Sequence, residues 1–125
     1  MKKLGFGCMR LPLLDKNDQT SFNTEILNKL VDIFLAKGFT YFDTAYVYHG
    51  YKSEEVMREA LVKRHRREDF ALATKLPMRD IKTVDDQEKV FKEQLEKCGV
   101  DYFDYYLLHN IGVITYKKAC ELDSF

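Results

Sequence analysis

The chain alternates between strand-like and helix-like segments, and this alternation limits the possible folds more than any other feature. Each predicted strand is a short run rich in β-branched and aromatic residues, and each is followed by a helical segment. The repeat is about thirty residues, the usual length of a strand–helix–strand unit. The predicted strands span residues 4–9, 40–43, 70–75 and 102–108. Strands joined by helices pair in parallel through right-handed crossovers, so the sequence predicts an α/β fold.

The intervening segments carry apolar residues at spacings of three and four, which is typical of a helix with one buried face. The predicted buried faces are Ile26, Leu27, Leu30, Val31, Phe34 and Leu35 in the first helix, and Val56, Met57, Ala60 and Leu61 in the second. In the third helix the apolar stripe is Val84, Phe91, Leu95 and Cys98. A fourth helical stretch covers residues 115–122.

Residues typical of helix ends support these boundaries. Gly38 and Gly99 stand where a glycine ends a helix. Ser53 is predicted to cap the second helix with its hydroxyl. Thr83 and Asp86 have the spacing of a capping box at the start of the third.

Four strand–helix units amount to half of a (β/α)8 barrel, the TIM barrel, which needs eight units and about 250 residues. The structural rival is an open, doubly wound sheet. Its first turn normally carries GxGxxG, whereas residues 5–9 read Gly-Phe-Gly-Cys-Met. We therefore predict a half barrel formed by the first four β/α units. Residues 1–125 would form a single partial domain whose C-terminal half is absent. The third and fourth strands are continuous apolar runs, so both of their faces are expected to be covered.

Composition excludes several classes of partner. The formal charge is zero, and the basic cluster at residues 63–67 is followed at once by Glu68 and Asp69, so we predict neither nucleic-acid nor membrane binding. No apolar run reaches the roughly 18 residues of a membrane span, and no signal-peptide pattern follows the N-terminus. Cys8, Cys98 and Cys120 are odd in number and lack CxxC spacing. The sequence predicts a cytoplasmic protein with no metal site.

Polar residues end or follow three of the predicted strands. Asp43 ends the second strand, Tyr48 lies in the loop after it, Lys75 ends the third, and His109 ends the fourth. In a parallel barrel the loops at the carboxyl ends of the strands build the active site. Taken singly, each residue is commonplace in a capping, packing or solvent-exposed role. Their convergence on one edge of the sheet predicts a site.

These four groups suit the protonation of a substrate oxygen. A lysine ammonium beside a phenol lowers the pKa of the phenol, which makes Lys75 and Tyr48 a candidate acid pair. Asp43 would hold the lysine in its charged form, and His109 would donate a hydrogen bond to a substrate oxygen. Such an assembly fits an acid that protonates oxygen while a hydride reaches carbon.

At these residues the chain resembles the aldo-keto reductase family. Residues 38–45, Gly-Phe-Thr-Tyr-Phe-Asp-Thr-Ala, are similar to that family's glycine-to-aspartate signature, which continues through Tyr48 and Gly50 to Ser53 and Glu54. Residues 73–75 resemble its lysine motif, residues 101–109 its histidine motif, and residues 4–11 its opening strand. Thr40 stands where the family commonly has arginine.

The resemblance implies roles for particular residues. Tyr48 would be the general acid, Lys75 and Asp43 the pair that tunes it, and His109 the residue that orients the carbonyl. The residues implied in cofactor binding are Cys8, Met9, Arg10, Asp43 and Asn110. The implied cofactor is NADPH, with NADH an alternative, and the implied substrate is a small aldehyde or ketone.

The sequence after Asp43 and around His109 also resembles that of a bacterial subgroup whose longer members carry a C-terminal iron–sulfur domain. The cysteines for such a cluster are not among these residues, so a cluster is expected only in a longer parent. The resemblance covers the N-terminal half of the family's barrel, and we expect a truncated fragment that is inactive alone. A half barrel would expose two sheet edges, which favours self-association.

Two other functions remain open. A barrel aldolase would use Lys75 as a Schiff-base amine. A non-catalytic binding or regulatory subunit would keep the same fold without turnover.

Overall fold

The computed structural model describes residues 2–125, and its centre is a sheet of four parallel strands. The strands are β1 (Gly5–Gly7), β2 (Tyr41–Asp43), β3 (Ala71–Leu76) and β4 (Tyr105–Leu108). They lie side by side in chain order, β1-β2-β3-β4. A doubly wound sheet instead reverses direction at a switch point, so this sequential order is that of a barrel.

Helices connect the strands. They are α1 (Thr24–Ala36), α2 (Tyr48–Tyr51), α3 (Ser53–Met57), α4 (Val84–Cys98) and α5 (Val113–Glu121). A π-helical turn, Arg58–Val62, extends α3, and short 3₁₀ turns span Cys8–Arg10 and Arg67–Asp69. None of the helices within residues 2–125 is long and apolar enough to cross a membrane.

The hydrophobic core lies between the sheet and the helices. Phe42 and Leu72 are paired across β2 and β3, and both are fully buried on the helix-facing side. The Phe42 ring packs against Phe6, Phe34 and Phe70 at centroid distances of 5.2 to 6.3 Å. The helices contribute buried residues that include Leu27, Val31, Met57, Leu61 and Cys98.

The opposite face of the sheet is only partly covered, since Tyr105 and Leu107 of β4 are exposed. Because strand side chains alternate between faces, Tyr41, Asp43 and Lys75 share this side with Tyr105 and Leu107 of β4. The Tyr41 and Tyr105 rings meet edge to face, with their centroids 5.5 Å apart. This face places polar side chains beside the carboxyl ends of β2 and β3.

The fourth strand departs from the sequence prediction. Tyr105, Tyr106 and Leu107 are 38 to 49% exposed, so the expectation that both faces of β4 are covered is wrong. Within residues 2–125, β4 pairs only with β3 and is therefore an edge strand. It also begins at Tyr105 rather than residue 102, because Asp104 bends the chain: its carboxylate accepts from the Leu72 amide at 2.7 Å and pairs with Arg67.

Three details of the helices were also predicted wrongly. Ile26 and Leu30 were expected on the buried face of α1, but they are 46% and 42% exposed, because the helix buries a narrower stripe that includes Leu27 and Val31. Ser53 does not cap α3; its buried hydroxyl lies 2.9 Å from that of Thr44 instead. Val84 is 59% exposed and does not belong to the buried stripe of α4, where Gln94 is buried instead. The other helix-end predictions are confirmed, including the capping box of Thr83 with Asp86 and the positive φ angles of Gly38 and Gly99.

Candidate active site

An ion pair between neighbouring strands forms the centre of the site. Asp43 is the last residue of β2 and pairs in register with Ala73, so Lys75 lies two residues further along β3 on the same face. The Lys75 ammonium contacts the Asp43 carboxylate and donates to the Thr44 carbonyl at 2.6 Å. The Lys75 side chain is only 12% exposed, so its ammonium is held within the fold and does not extend to solvent.

Tyr48 and His109 complete a cluster around this ammonium. Lys75 Nζ lies 4.8 Å from the centroid of the Tyr48 ring, within the range of a cation–π contact. The His109 ring meets the Tyr48 ring edge to face, with centroids 5.5 Å apart and planes at 88°. All four residues predicted from the strand ends therefore lie together, and the lysine meets the face of the tyrosine ring.

An unusual turn presents Tyr48. It is the first residue of α2, and the three residues after it, His49, Gly50 and Tyr51, all have φ between 52° and 69°. His49 is buried and fastens this turn to the loop after β1. Its Nε2 accepts from the Leu11 amide at 3.2 Å, so Nδ1 carries the proton and donates to the Gln19 carbonyl at 2.9 Å.

Sequence reasoning missed this role of His49. Its neighbours in the sequence carry no signal for a partner 38 residues away. A left-handed, non-glycine residue beside a catalytic candidate is seen only in the structure.

His109 follows β4 directly, and its amide donates to the Leu76 carbonyl at 2.9 Å. Burial lowers the pKa of the imidazole, and the positive charge of Lys75 lowers it further. His109 is therefore neutral at neutral pH. A neutral imidazole has one N–H to donate, which suits contact with a carbonyl oxygen.

A small cleft opens beside His109. Its volume is about 260 Å³, near the lower limit of small-molecule sites. Its lining mixes apolar, aromatic and charged side chains: Val47, Tyr51, Pro77, Met78, Arg79, Asp80, His109 and Asn110. Asn110 adopts a left-handed φ of 62° and borders the cleft next to His109. The cleft is large enough for a small organic molecule.

The first-loop residues proposed for cofactor contact differ in accessibility. Cys8, Met9 and Arg10 form the 3₁₀ turn after β1. Cys8 is fully buried, backbone included, and burial raises the pKa of its thiol to about 12. Met9 is 62% exposed, and Arg10 is exposed as well. Their assignment to the cofactor stays a prediction.

Behind Lys75 lies a group of buried polar residues that sequence reasoning did not connect with the site. Glu54, Thr74 and Gln94 are fully buried, and Tyr106 joins them from β4. Glu54 stands in the quoted signature, but Gln94 interrupts the apolar stripe of α4. A polar residue at a position of helical apolar spacing was the available signal. Separately, residues 2–125 hold no group of three or more histidine, cysteine or acidic side chains arranged for a metal ion.

Comparison with known proteins identifies the family of this chain. The Aldo/keto reductase family model matches residues 3–122. A curated relative, the uncharacterized oxidoreductase YqkF of Bacillus subtilis (strain 168), is 32% identical over 87% of this chain and 35% of its own length. The solved aldo-keto reductase AKR11C1 from Bacillus halodurans, in its holo form, is 26% identical with a TM-score of 0.70. That comparison covers 98% of this chain and 42% of the solved one.

Two further solved structures have a similar fold. The thermostable aldo-keto reductase Tm1743, in complex with the inhibitor epalrestat, is 26% identical with a TM-score of 0.69, over 97% of this chain and 44% of its own. An aldo-keto reductase from Klebsiella pneumoniae in complex with NADPH shares the fold, with 23% identity and a TM-score of 0.68, over 96% of this chain and 40% of its own.

The chain belongs to the aldo/keto reductase family. It spans 35% of YqkF and 40 to 44% of these solved enzymes, whose fold is the (β/α)8 barrel. The predicted fold, four β/α units of such a barrel, is therefore confirmed. The resemblance to the subgroup with an iron–sulfur domain has no support in these relatives and stays a prediction.

Proposed function

We propose that this chain supplies the catalytic residues of an NADPH-dependent oxidoreductase that reduces aldehydes or ketones to alcohols. One observation carries the proposal: Asp43, Tyr48, Lys75 and His109 meet at the carboxyl ends of three neighbouring strands. Family membership supports an oxidoreductase. The NADPH bound to the Klebsiella pneumoniae relative supports the choice of cofactor.

The groups around the site fit the nicotinamide end of such a cofactor. The Asn110 amide and the Asp43 carboxylate offer polar atoms of both kinds, donors and acceptors, to a carboxamide. With Cys8, Met9 and Arg10 they are the residues that would hold the cofactor. When bound, the nicotinamide supplies the hydride.

The protein's own residues would manage the substrate oxygen. The neutral His109 imidazole donates to the carbonyl oxygen and fixes its position. Tyr48 then gives its phenolic proton to that oxygen as negative charge develops there. The Lys75 ammonium favours the phenolate that remains, and Asp43 keeps the ammonium in place. The cleft beside His109 would take the rest of a small carbonyl compound.

The barrel aldolase is disfavoured by the environment of Lys75. Schiff-base formation needs a neutral amine, whereas this lysine is nearly buried, paired with Asp43 and bonded to the Thr44 carbonyl. Borohydride reduction in the presence of an aldehyde should leave no covalent adduct at Lys75. An adduct found there by mass spectrometry would favour the aldolase. The non-catalytic subunit is tested by the turnover assay below.

We also propose that these residues act within a longer enzyme and are inactive alone. The chain spans less than half of its solved relatives, and the carbonyl-binding face of the sheet is open to solvent. β1 and β4 are both edge strands, so self-association is the expected behaviour of the isolated chain. An iron–sulfur cluster would belong only to a longer parent.

The test is Tyr48→Phe in the protein produced from the complete reading frame that contains this chain. Removing the phenolic proton should lower kcat for aldehyde reduction by about 10²- to 10⁴-fold. The Kd for NADPH should change little, because the phenol acts on the substrate. Tyr102→Phe is the matched control, since Tyr102 lies over Arg67 and away from the cleft. Equal turnover by Tyr48→Phe and the unmodified enzyme would refute the assignment, and no turnover by either would favour the non-catalytic subunit.

A further inference from the structure

Four polar residues form a connected layer between the sheet and the helices, directly behind the catalytic lysine. Glu54 is the second residue of α3, Thr74 precedes Lys75 on β3, Gln94 lies on α4, and Tyr106 lies on β4. We call this set the polar layer. Its first three members are fully buried, where side-chain polar groups need hydrogen-bond partners.

The hydrogen bonds of the polar layer fix the orientation of the Gln94 amide. Its Nε2 lies 2.8 Å from Glu54 Oε1, to which the Thr74 hydroxyl also donates at 2.6 Å. On the other side, Gln94 Oε1 accepts from the Tyr106 hydroxyl at 2.6 Å. A carboxylate oxygen requires a donor and a phenol can provide one, so the NH₂ group faces Glu54 and the oxygen faces Tyr106.

In this orientation Gln94 reaches the backbone of Lys75. Its Nε2 lies 3.1 Å from the Lys75 carbonyl and 3.1 Å from Thr74 Oγ1. In a β-strand, the carbonyls of every second residue point toward the same neighbouring strand. The Ala73 carbonyl points toward β2 and accepts from the amide of Thr44, the residue just past the end of β2. The Lys75 carbonyl therefore points beyond the end of β2, and Gln94 supplies a donor there.

The ammonium end of Lys75 is connected to α3 by a second set of hydrogen bonds. It donates to the Thr44 carbonyl, and the Thr44 hydroxyl lies 2.9 Å from that of Ser53. Ser53 and Glu54 are adjacent at the start of α3, so this helix contacts the ends of both β2 and β3. The backbone and the side chain of Lys75 are thus restrained independently.

We propose that Gln94 is a positioning residue that, oriented by Glu54 and Tyr106, sets the position of Lys75 against Tyr48 and His109. Its role in turnover rests on the proposed function, but its effect on geometry does not. Burying these polar groups costs folding free energy, which supports a functional role for the polar layer. Glu54 Oε2 has no hydrogen-bond partner among the described residues, and burial raises the pKa of the Glu54 carboxyl. A methionine at position 94 would fill the same volume without these polar groups.

His109 reports the position of Lys75 without any need for catalysis. After burial, the largest influence on the pKa of His109 is the positive charge of Lys75, with smaller contributions from Asp43 and Arg79. The full chain contains three histidines, so its ring signals can be followed individually by NMR across a pH titration. If the ammonium moves away from His109, the titration midpoint of His109 rises.

The test compares Gln94→Met with Leu95→Met, a volume-preserving change at the next position of α4. We expect the His109 midpoint to rise in Gln94→Met, to rise in Lys75→Met, and to stay unchanged in Leu95→Met. Gln94→Leu is the second variant if the first does not fold. Its side chain offers no N–H to Lys75 and adds no charge, so it should raise the midpoint too. An unchanged His109 midpoint in a folded Gln94 variant overturns the proposal.

Kinetics of the complete enzyme add a readout that separates the two proposals. Gln94→Met should lower kcat by about 10- to 100-fold, since small displacements of catalytic groups have effects of that size. The KM for NADPH should stay nearly constant, and Leu95→Met should match the unmodified enzyme. If the proposed function is wrong, no variant reduces carbonyls, yet the His109 shift in Gln94→Met persists. A normal kcat in Gln94→Met would refute its positioning role.

Discussion

The ion pair of Asp43 and Lys75 should contribute to stability as well as to chemistry. The Lys75 side chain is 12% exposed and that of Asp43 is 33% exposed. Removing one partner of a buried pair costs about 3–5 kcal/mol, whereas exposed pairs contribute about 0–1 kcal/mol. For this partly buried pair, Asp43→Ala should lower the free energy of unfolding by about 2 kcal/mol, because it leaves the ammonium without a carboxylate, in contact with the Thr44 carbonyl and the Tyr48 ring.

Removing Lys75 should lower the free energy of unfolding by less than removing Asp43. Lys75→Met leaves a carboxylate that is one-third exposed and can be hydrated, so we expect a loss of about 1 kcal/mol. The double variant Asp43→Ala/Lys75→Met lacks an unpaired charge and should be no less stable than Asp43→Ala alone. The coupling between the two positions should therefore exceed about 1 kcal/mol.

Urea unfolding of the full chain and its variants measures these changes in the free energy of unfolding. The changes follow from the shifts of the unfolding midpoints when the denaturant slopes agree. The exposed pair of Glu25 with Lys29 on α1 is the matched control. Its cycle should give a coupling of only about 0.3–0.5 kcal/mol. If the effects of Asp43→Ala and Lys75→Met add to within about 0.5 kcal/mol, the two groups do not interact as described and the reasoning is refuted.

Two further predictions concern pH and helix capping. Because burial raises the folded-state pKa of Glu54 above its ordinary 4.5, its contribution to stability is present below that value and is lost as pH rises through the folded-state pKa. Urea midpoints from pH 5 to 8 should therefore fall more steeply for the unmodified chain than for Glu54→Gln, and parallel curves would contradict this. Thr83→Ala removes the cap that accepts from the Asp86 amide at 3.2 Å, and should lower the free energy of unfolding by about 1 kcal/mol. A loss below about 0.3 kcal/mol in the same urea assay would mean that the capping box contributes little.

Local sequence patterns were sufficient to predict the order of the elements and which polar residues lie at the carboxyl ends of the strands. Strand-like runs, helical spacing and glycine positions determined four β/α units, since each depends on neighbouring residues only. The four residues at the strand ends were predicted to meet because parallel strands bring their carboxyl ends to one edge. The structure places them together.

The errors arose where long-range contacts override local patterns. Nothing near Ser53 indicates that its hydroxyl lies beside that of Thr44, the residue that follows β2. The bend at Asp104 depends on Arg67, 37 residues earlier. The exposure of β4 depends on the absence of a neighbouring strand on its far side within the described residues, which an apolar run cannot reveal.

The polar layer was missed for a related reason. Gln94 has helical spacing with apolar residues, but its partners come from α3, β3 and β4, up to 40 residues away. The burial of a glutamine and a glutamate in contact cannot be inferred from either position alone.

The most direct test of the central claim is an NMR titration of the full chain with NADPH, following its histidine ring signals. The residues assigned to the nicotinamide end lie beside His109, whereas His65 pairs with Asp32 on the helix side of the sheet. We expect saturable changes at His109, with His65 unaffected, even at the weak affinity of a chain without the second half of a barrel. An unaffected His109 at millimolar NADPH, or equal changes at His65, would contradict the claim that Asp43, Tyr48, Lys75 and His109 form a nicotinamide-dependent site.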